Sequence, residues 1–416
     1  MKRPLLITGA AVTVLVVWAL APVYQFYAHR WMLPMPPGGW QETSVPAPNS
    51  QWVGDPEFAA AGESALREMA AYRAANKLPS LSAAVAVDGE LVWAGAAGFS
   101  DIQSAAAATP ETRFRIGSTS KALTATALAR LVQRGVMELD APLSTYLPEV
   151  PNPAWASITP RQLASHSAGL PHYGENRDWL GLYRSVAMQT RYNDVRDALT
   201  VFDGSPLLFK PGTDFHYSSL GTVLLGAAMS EATGLPYREL MEREVFGPAG
   251  MVATFADGDR DTADVATFYF TDGERFRPWR AIDLSHRLPG GGFVSTPTEL
   301  VALGSLYFDA DYLEPAIREQ FWTPQRLDDG SVNEQDYALG WRWREWEIDG
   351  VGVARNANHG GVSRGSQCWL LLYPDYRMSM AFCTNTKTRE FSTFGRFYEP
   401  LFRAFVTVAA APDQDL

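Results

Sequence analysis

Ser118-Thr119-Ser120-Lys121 sets a hydroxyl and an amine three residues apart, directly before a stretch with helical period. On a helix, residues three apart are neighbours, so the Lys121 ammonium returns beside the Ser118 hydroxyl. Ala127, Leu128, Leu131 and Val132 fall on one face, which predicts a buried amphipathic helix. Ser118 then lies at the helix N-terminus, where free N–H groups and the dipole favour developing negative charge. A weak nucleophile, an adjacent base and an anion-friendly backbone suit acyl transfer to serine. Taken alone, the tetrad reads first as an N-cap serine followed by a solvated lysine, so other segments must carry the chemistry.

Two segments do so. Tyr217-Ser218-Ser219 precedes an apolar helix starting at Leu220, and His359-Gly360-Gly361 lies at the start of a late strand, where glycine lets backbone approach a ligand. With Ser118 and Lys121, these resemble the serine β-lactamase and penicillin-binding-protein superfamily, on its class C β-lactamase, D-aminopeptidase and esterase side. Residues 163–171, 211–212 and 290–296 extend the resemblance, which covers roughly residues 58–405. It implies that Ser118 is the nucleophile, Lys121 its proton-accepting partner and Tyr217 a proton shuttle to the leaving group. It also implies an oxyanion hole from the backbone N–H groups of Ser118 and Val362, with Ser219, His359 and Gly361 binding substrate. Which of Lys121 and Tyr217 takes the first proton stays open. No metal and no organic cofactor is expected.

Two positions depart from the commonest pattern of the superfamily. Ser219 stands where Asn is common, and a serine is shorter with one donor fewer. His359-Gly360-Gly361 replaces Lys-Thr-Gly, removing a fixed positive charge and a hydroxyl. Both changes suit ester or D-peptide substrates better than β-lactams. A histidine there predicts tighter carboxylate binding as pH falls and His359 charges. The expected activity is therefore an exported serine hydrolase. The alternatives are a β-lactamase or slow penicillin-binding acyl-trap and, from another class, an idle binding or sensing domain.

Other residues imitate function. Residues 361–365 spell Gly-x-Ser-x-Gly, but they lead into another strand, and the nucleophile elbow requires a strand-to-helix turn. His166, His172 and His216 lack metal-ligand spacing and read as local hydrogen-bonding groups. Trp341 and Trp343 alternate as packed strand residues do.

The elements that must hold this chemistry follow from punctuation and period. The chain has 416 residues with 46% hydrophobic and 19% charged, enough to bury a full-sized core. A net charge of −11 without any basic run excludes nucleic acid as the expected partner; a small molecule or short peptide is expected instead. The oligomeric state is not legible.

Residues 5–23 form an uncharged run after Lys2 and Arg3. As a helix they reach about 28 Å, near the roughly 30 Å hydrocarbon core. A membrane anchor within residues 1–33 is favoured over a cleaved signal, because Pro22 follows the small-residue site. Either reading places the catalytic domain outside the cytoplasm. Residues 34–56 read as a Pro/Gly-rich tether and residues 57–416 as the hydrolase domain.

Within that domain, residues 57–77 read as a helix and residues 81–87 and 91–99 as a hairpin turning at Asp88-Gly89. Residues 136–290 carry short helices, including a capping box at Thr159 and helices closed by Gly234 and Gly247. Strands return after Tyr337, and a final helix spans about 394–408. The expected fold is α+β: an antiparallel sheet built from both chain ends, covered by helices, with an inserted mostly helical lobe. Cys368 and Cys383 flank the turn at 374–377. A turn centred between Asp375 and Tyr376 makes them face each other, either bridged or as two buried thiols.

Overall fold

The computed structural model describes residues 2–43, 45–259, 264–273 and 275–409, with residues 2–11 as backbone only. In chain order, α1 (Lys2–Ala28) and an extended segment lead to β1 (Asn49–Val53), α2 (Ala59–Ala75), β2 (Ser80–Val87) and β3 (Glu90–Asp101). Then come α3 (Ser120–Gln133), α4 (Trp179–Ala187), α5 (Ser219–Thr233) and α6 (Pro297–Leu306). The chain closes with β4 (Arg342–Ile348), β5 (Gly352–Ser363), β6 (Ser366–Tyr373), β7 (Met378–Thr384) and α7 (Tyr398–Ala409).

The main sheet is antiparallel, in the order β1-β3-β2-β7-β6-β5-β4, with a short strand Ala106–Ala107 added to β3. The β2–β7 pair, with Ala84 opposite Ala381, joins strands from the two chain ends. Asp88 and Gly89 both take positive φ, 51° and 93°, as a two-residue hairpin requires. Alternation splits the sheet into two faces. Leu81, Ala83 and Val85 meet α2 and α7 in one core with Trp93, Phe382, Phe402 and Phe405. Ala84, Ala86 and Ala94 face a second core containing α3 and α6. The register of β6 and β7 places Cys368 opposite Cys383, and the two are disulfide-bonded.

Several local expectations are corrected by packing. Helix α3 is not amphipathic: every residue from Ser120 to Ala129 is buried, because it lies between the sheet and the intervening helices. Gly247 continues its helix with φ −59°, and Gly250, at φ 64°, closes it three residues later. The segment 34–56 is more than a tether. Its β1 pairs with β3 at the sheet edge, and Gln41 exchanges backbone hydrogen bonds with Phe276.

The segment expected to span a membrane, residues 5–23, lies within α1, and the side chains of residues 2–11 lie outside the described residues. Among the described residues, no helix is long and apolar enough to cross a membrane. The C-terminal end of α1 packs on the domain, where buried Phe26 joins Val186, Met188 and Leu284.

Candidate active site

Ser118 is partly exposed in a 3-10 turn, Gly117–Thr119, that runs directly into α3. Two anchors fix this turn. Upstream, Phe114–Arg115 pairs with Phe293–Ser295, and the Ile116 N–H bonds to Phe293 O at 3.1 Å. Sideways, Thr119 Oγ1 donates to His359 O at 3.1 Å, tying the turn to β5. Gly117 takes φ 53°, and a Cβ there would meet the Val362 backbone at 2.6–2.7 Å. A Cβ on Gly361 would lie 1.9 Å from Ile116 O. The two glycines let β5 lie backbone-to-backbone against the nucleophile turn, which brings Ser118 and Val362 together at the cleft.

Lys121, 2% exposed, extends its amine to three oxygens: Ser118 Oγ at 3.3 Å, Ser219 Oγ at 2.8 Å and Gly290 O at 2.8 Å. Burial, then the charges of Arg342 and Arg287, pushes its pKa well below the ordinary lysine value. A neutral amine has two N–H donors and one lone pair. Two donors fit Gly290 O and Ser219 Oγ, leaving the lone pair for the Ser118 hydroxyl proton.

Tyr217 stands across the nucleophile. Its ring centroid is 4.7 Å from Lys121 Nζ and 5.4 Å from the Arg342 guanidinium. Burial raises its pKa above the ordinary phenol value, against the opposing pull of Arg342, so Tyr217 is a neutral O–H donor. The residue is held by its successors. Ser218 caps α5 by accepting from the Gly221 N–H at 3.0 Å, and its own N–H donates to His166 Nδ1 at 3.3 Å. The Ser219 N–H donates to His172 Nδ1 at 3.2 Å. His172 is held neutral, with its pKa lowered to about 3 by burial and then Lys121. His166 and His172 thus serve as local acceptors, and His216 pairs with Glu175 at 2.6 Å.

Two expected substrate contacts are relocated. His359 is fully buried beneath the cleft, where its ring bonds to Tyr337 OH at 2.9 Å and to Gly360 O at 2.9 Å. Burial, then Arg342 and Lys121, holds its pKa well below 6.5, so it does not charge on mild acidification. Gly361 lines neither cavity at Ser118; the space a side chain would need is taken by Ile116 and Thr119. Ser219 does face the cleft. The Gly-x-Ser-x-Gly at 361–365 is the tight link between β5 and β6, with Gly365 at φ 73°.

The sequence reading missed Arg342. It lies between Trp341 and Trp343, and strand alternation around a buried tryptophan was the signal that could have placed a cation on the opposite side. Two cavities meet at Ser118, His172 and Val362. One, about 450 Å³, is lined by Tyr217, Arg342, Asn358, Trp369 and Phe391. The other, about 540 Å³, extends under the end of α1 past Ser219, Arg287, Gly291 and Arg364. Among the described residues, no group of three or more His, Cys, Asp or Glu side chains could hold a metal ion.

The protein-family profile described as Beta-lactamase matches residues 66–401. The human serine beta-lactamase-like protein LACTB, mitochondrial, is 26% identical over 71% of this chain and 69% of its own length. Esterase EstB of Burkholderia gladioli is 34% identical over 42% of this chain and 46% of its own. Among solved structures, D-amino acid amidase from Ochrobactrum anthropi SV3 shares the fold with a TM-score of 0.69. It is 20% identical, covering 83% of this chain and 99% of its own.

Proposed function

This chain belongs to the Beta-lactamase family, and from that premise we propose that it is a serine hydrolase working through an acyl-enzyme on ester or D-configured amide bonds. The observation that carries the reading is the buried amine of Lys121, aimed at Ser118 Oγ and held by Ser219 and Gly290 O. Neutral Lys121 takes the Ser118 proton as Oγ attacks the acyl carbon. The backbone N–H groups of Ser118 and Val362 receive the oxyanion. Tyr217 gives its proton to the leaving group and is reprotonated by the Lys121 ammonium beside it. Water then attacks the Ser118 ester, releasing the acid and restoring the hydroxyl.

Esters and D-amides are favoured over β-lactams because Ser219 and Gly360 remove polar side-chain groups that would grip the acylamide side chain and the carboxylate of a β-lactam. Relatives named for esterase and D-amino acid amidase activity lie in the same direction. The domain works outside the cytoplasm, tethered through residues 5–23, a reading supported by the apolar run and the paired cysteines. Protease treatment of intact cells that leaves the domain uncut and cytoplasmic would overturn that placement.

A fluorophosphonate is expected to label Ser118 and to leave Ser118→Ala unlabelled. That substitution lowers kcat by roughly 10⁴–10⁶, as in other serine hydrolases. Full activity in Ser118→Ala sinks the reading. A cephalosporin preferred tenfold over a p-nitrophenyl ester at pH 7 would place the enzyme with the β-lactamases instead.

A further inference from the structure

The 540 Å³ cavity beside Ser118 is lined by four cations, Arg30, Arg287, Arg364 and Lys387, and a single carboxylate, Glu175. Glu175 is engaged elsewhere, with His216 at 2.6 Å and the His172 N–H at 3.0 Å. Among the described residues, none of the four cations forms an ion pair; aromatic faces hold them instead. Arg287 lies 4.1 Å from the Tyr173 ring centroid, Arg364 4.9 Å and Arg30 5.2 Å from Phe26, and Lys387 5.1 Å from Trp31. Arg287 is only 7% exposed, with its guanidinium donating to Ser185 O and His286 Nε2. Burial and mutual repulsion bring Arg364 down to about 9 and Lys387 to about 8. Buried like charges without a counter-ion are costly, and an anion seated among them relieves the cost.

Position relative to Ser118 says which half of a substrate carries that anion. In the proposed hydrolysis Tyr217 protonates the leaving group, so the leaving group occupies the cavity that Tyr217 lines. That is the 450 Å³ cavity with Arg342, Trp369 and Phe391. The cationic cavity, which Tyr217 does not line, is left for the acyl half. Its outer wall is the end of α1, through Phe26, Tyr27 and Arg30.

We propose that Arg287, Arg364, Lys387 and Arg30 form a carboxylate-binding subsite for the acyl half of the substrate, so that the enzyme cleaves esters or amides of acids bearing a second, distal carboxylate. This deepens the serine hydrolase reading and rests on it. The arginine forks suit a planar carboxylate, and Arg287, already stripped of water, loses little further hydration on meeting one.

The test compares mono-p-nitrophenyl adipate with its neutral methyl ester on the purified full-length chain at pH 7 and low salt. The adipate monoester is expected to have at least tenfold higher kcat/KM. Arg364→Met is expected to collapse that ratio, and Arg30→Gln, at an exposed position, to reduce it several-fold with the melting temperature unchanged. A hexanoate ester of 3-carboxy-4-nitrophenol carries the charge on the leaving group instead and is expected to gain nothing from the four cations. Equal rates for the two adipates, or a ratio unmoved in both variants, overturns the subsite. A preference that Arg364→Met abolishes for the carboxyphenol ester and not for the adipate overturns its acyl-side placement. Failure to cleave any of the esters, with Ser118 unlabelled by fluorophosphonate, removes the hydrolase reading and this inference together.

Discussion

A methyl group on Gly361 is expected to disable catalysis without unfolding the domain. In Gly361→Ala the new Cβ would lie 1.9 Å from Ile116 O and 2.7 Å from Thr119 N. A close carbon–oxygen contact is about 3.3 Å, so the overlap with Ile116 O is about 1.4 Å. Both opposing atoms are backbone, and no rotamer change relieves them; β5 and the nucleophile turn must part. The two N–H groups assigned to the oxyanion, on Ser118 and Val362, ride on opposite sides of that contact. Opening by the full overlap takes one donor from about 2.9 Å to beyond 4 Å, outside hydrogen-bond range. Loss of one such donor costs about 10²–10³ in kcat. The overpacking itself costs roughly 1–3 kcal/mol, which a domain of this size survives. Gly360→Ala is the control, since the atoms nearest its Cβ all belong to the Phe391 ring, at 2.6–3.2 Å, and a side chain can move. Ester hydrolysis and fluorophosphonate labelling rates, with melting temperatures, compare the two variants. Gly361→Ala within threefold of the parent kcat would refute the coupling between β5 and the nucleophile.

The acid limb of the kcat/KM profile reports Lys121. Burial and the neighbouring cations favour its neutral form, so activity rises as the proton leaves, at a pH below the ordinary lysine value. Arg342→Gln removes one of those cations and is expected to move the limb to higher pH; a limb that stays put or moves down would count against Lys121 as the base. His359 stays neutral because it is buried, so the ratio of cephalosporin to ester turnover is expected to be flat from pH 5.5 to 8.5 as far as His359 is concerned. A ratio that climbs on acidification and loses that slope in His359→Gln would contradict this. Cys368→Ala with Cys383→Ala should lower stability by at most about 3 kcal/mol, since the bridge closes a short hairpin already held by seven paired positions. Denaturant melts measure it, and thiols alkylatable in the native, unreduced protein would exclude the bridge.

Much of the architecture was written locally. Asp88-Gly89 dictated a hairpin because both positions need positive φ. Thr159 and Gln162 formed the reciprocal capping box that their spacing announces. Facing of Cys368 and Cys383 followed from the turn that joins their strands. Ser118 and Lys121 were legible because one helical turn brings them together regardless of the rest of the fold.

What local sequence could not fix were contacts made across the chain. Gly247 looked like a helix end, but the helix ran on to Gly250, because a glycine permits a cap without requiring one. Val132 packs against the core as expected, but Ala129, off the named face, is as buried as Leu128, because period assigns faces only to a helix that has a solvent side; α3 has almost none. His359 was expected to touch substrate, and only the sheet and Tyr337 decided that it would be buried and neutral. Arg287, Arg364 and Lys387 lie far apart in sequence, and Arg30 sits beyond the expected domain. Their convergence beside Ser118 depends on how α1, β5 and the intervening helices pack. Residue type and local period set the nucleophile and its base; the charge of the cavity they open into is a sum over distant residues, and tertiary packing alone performs that sum.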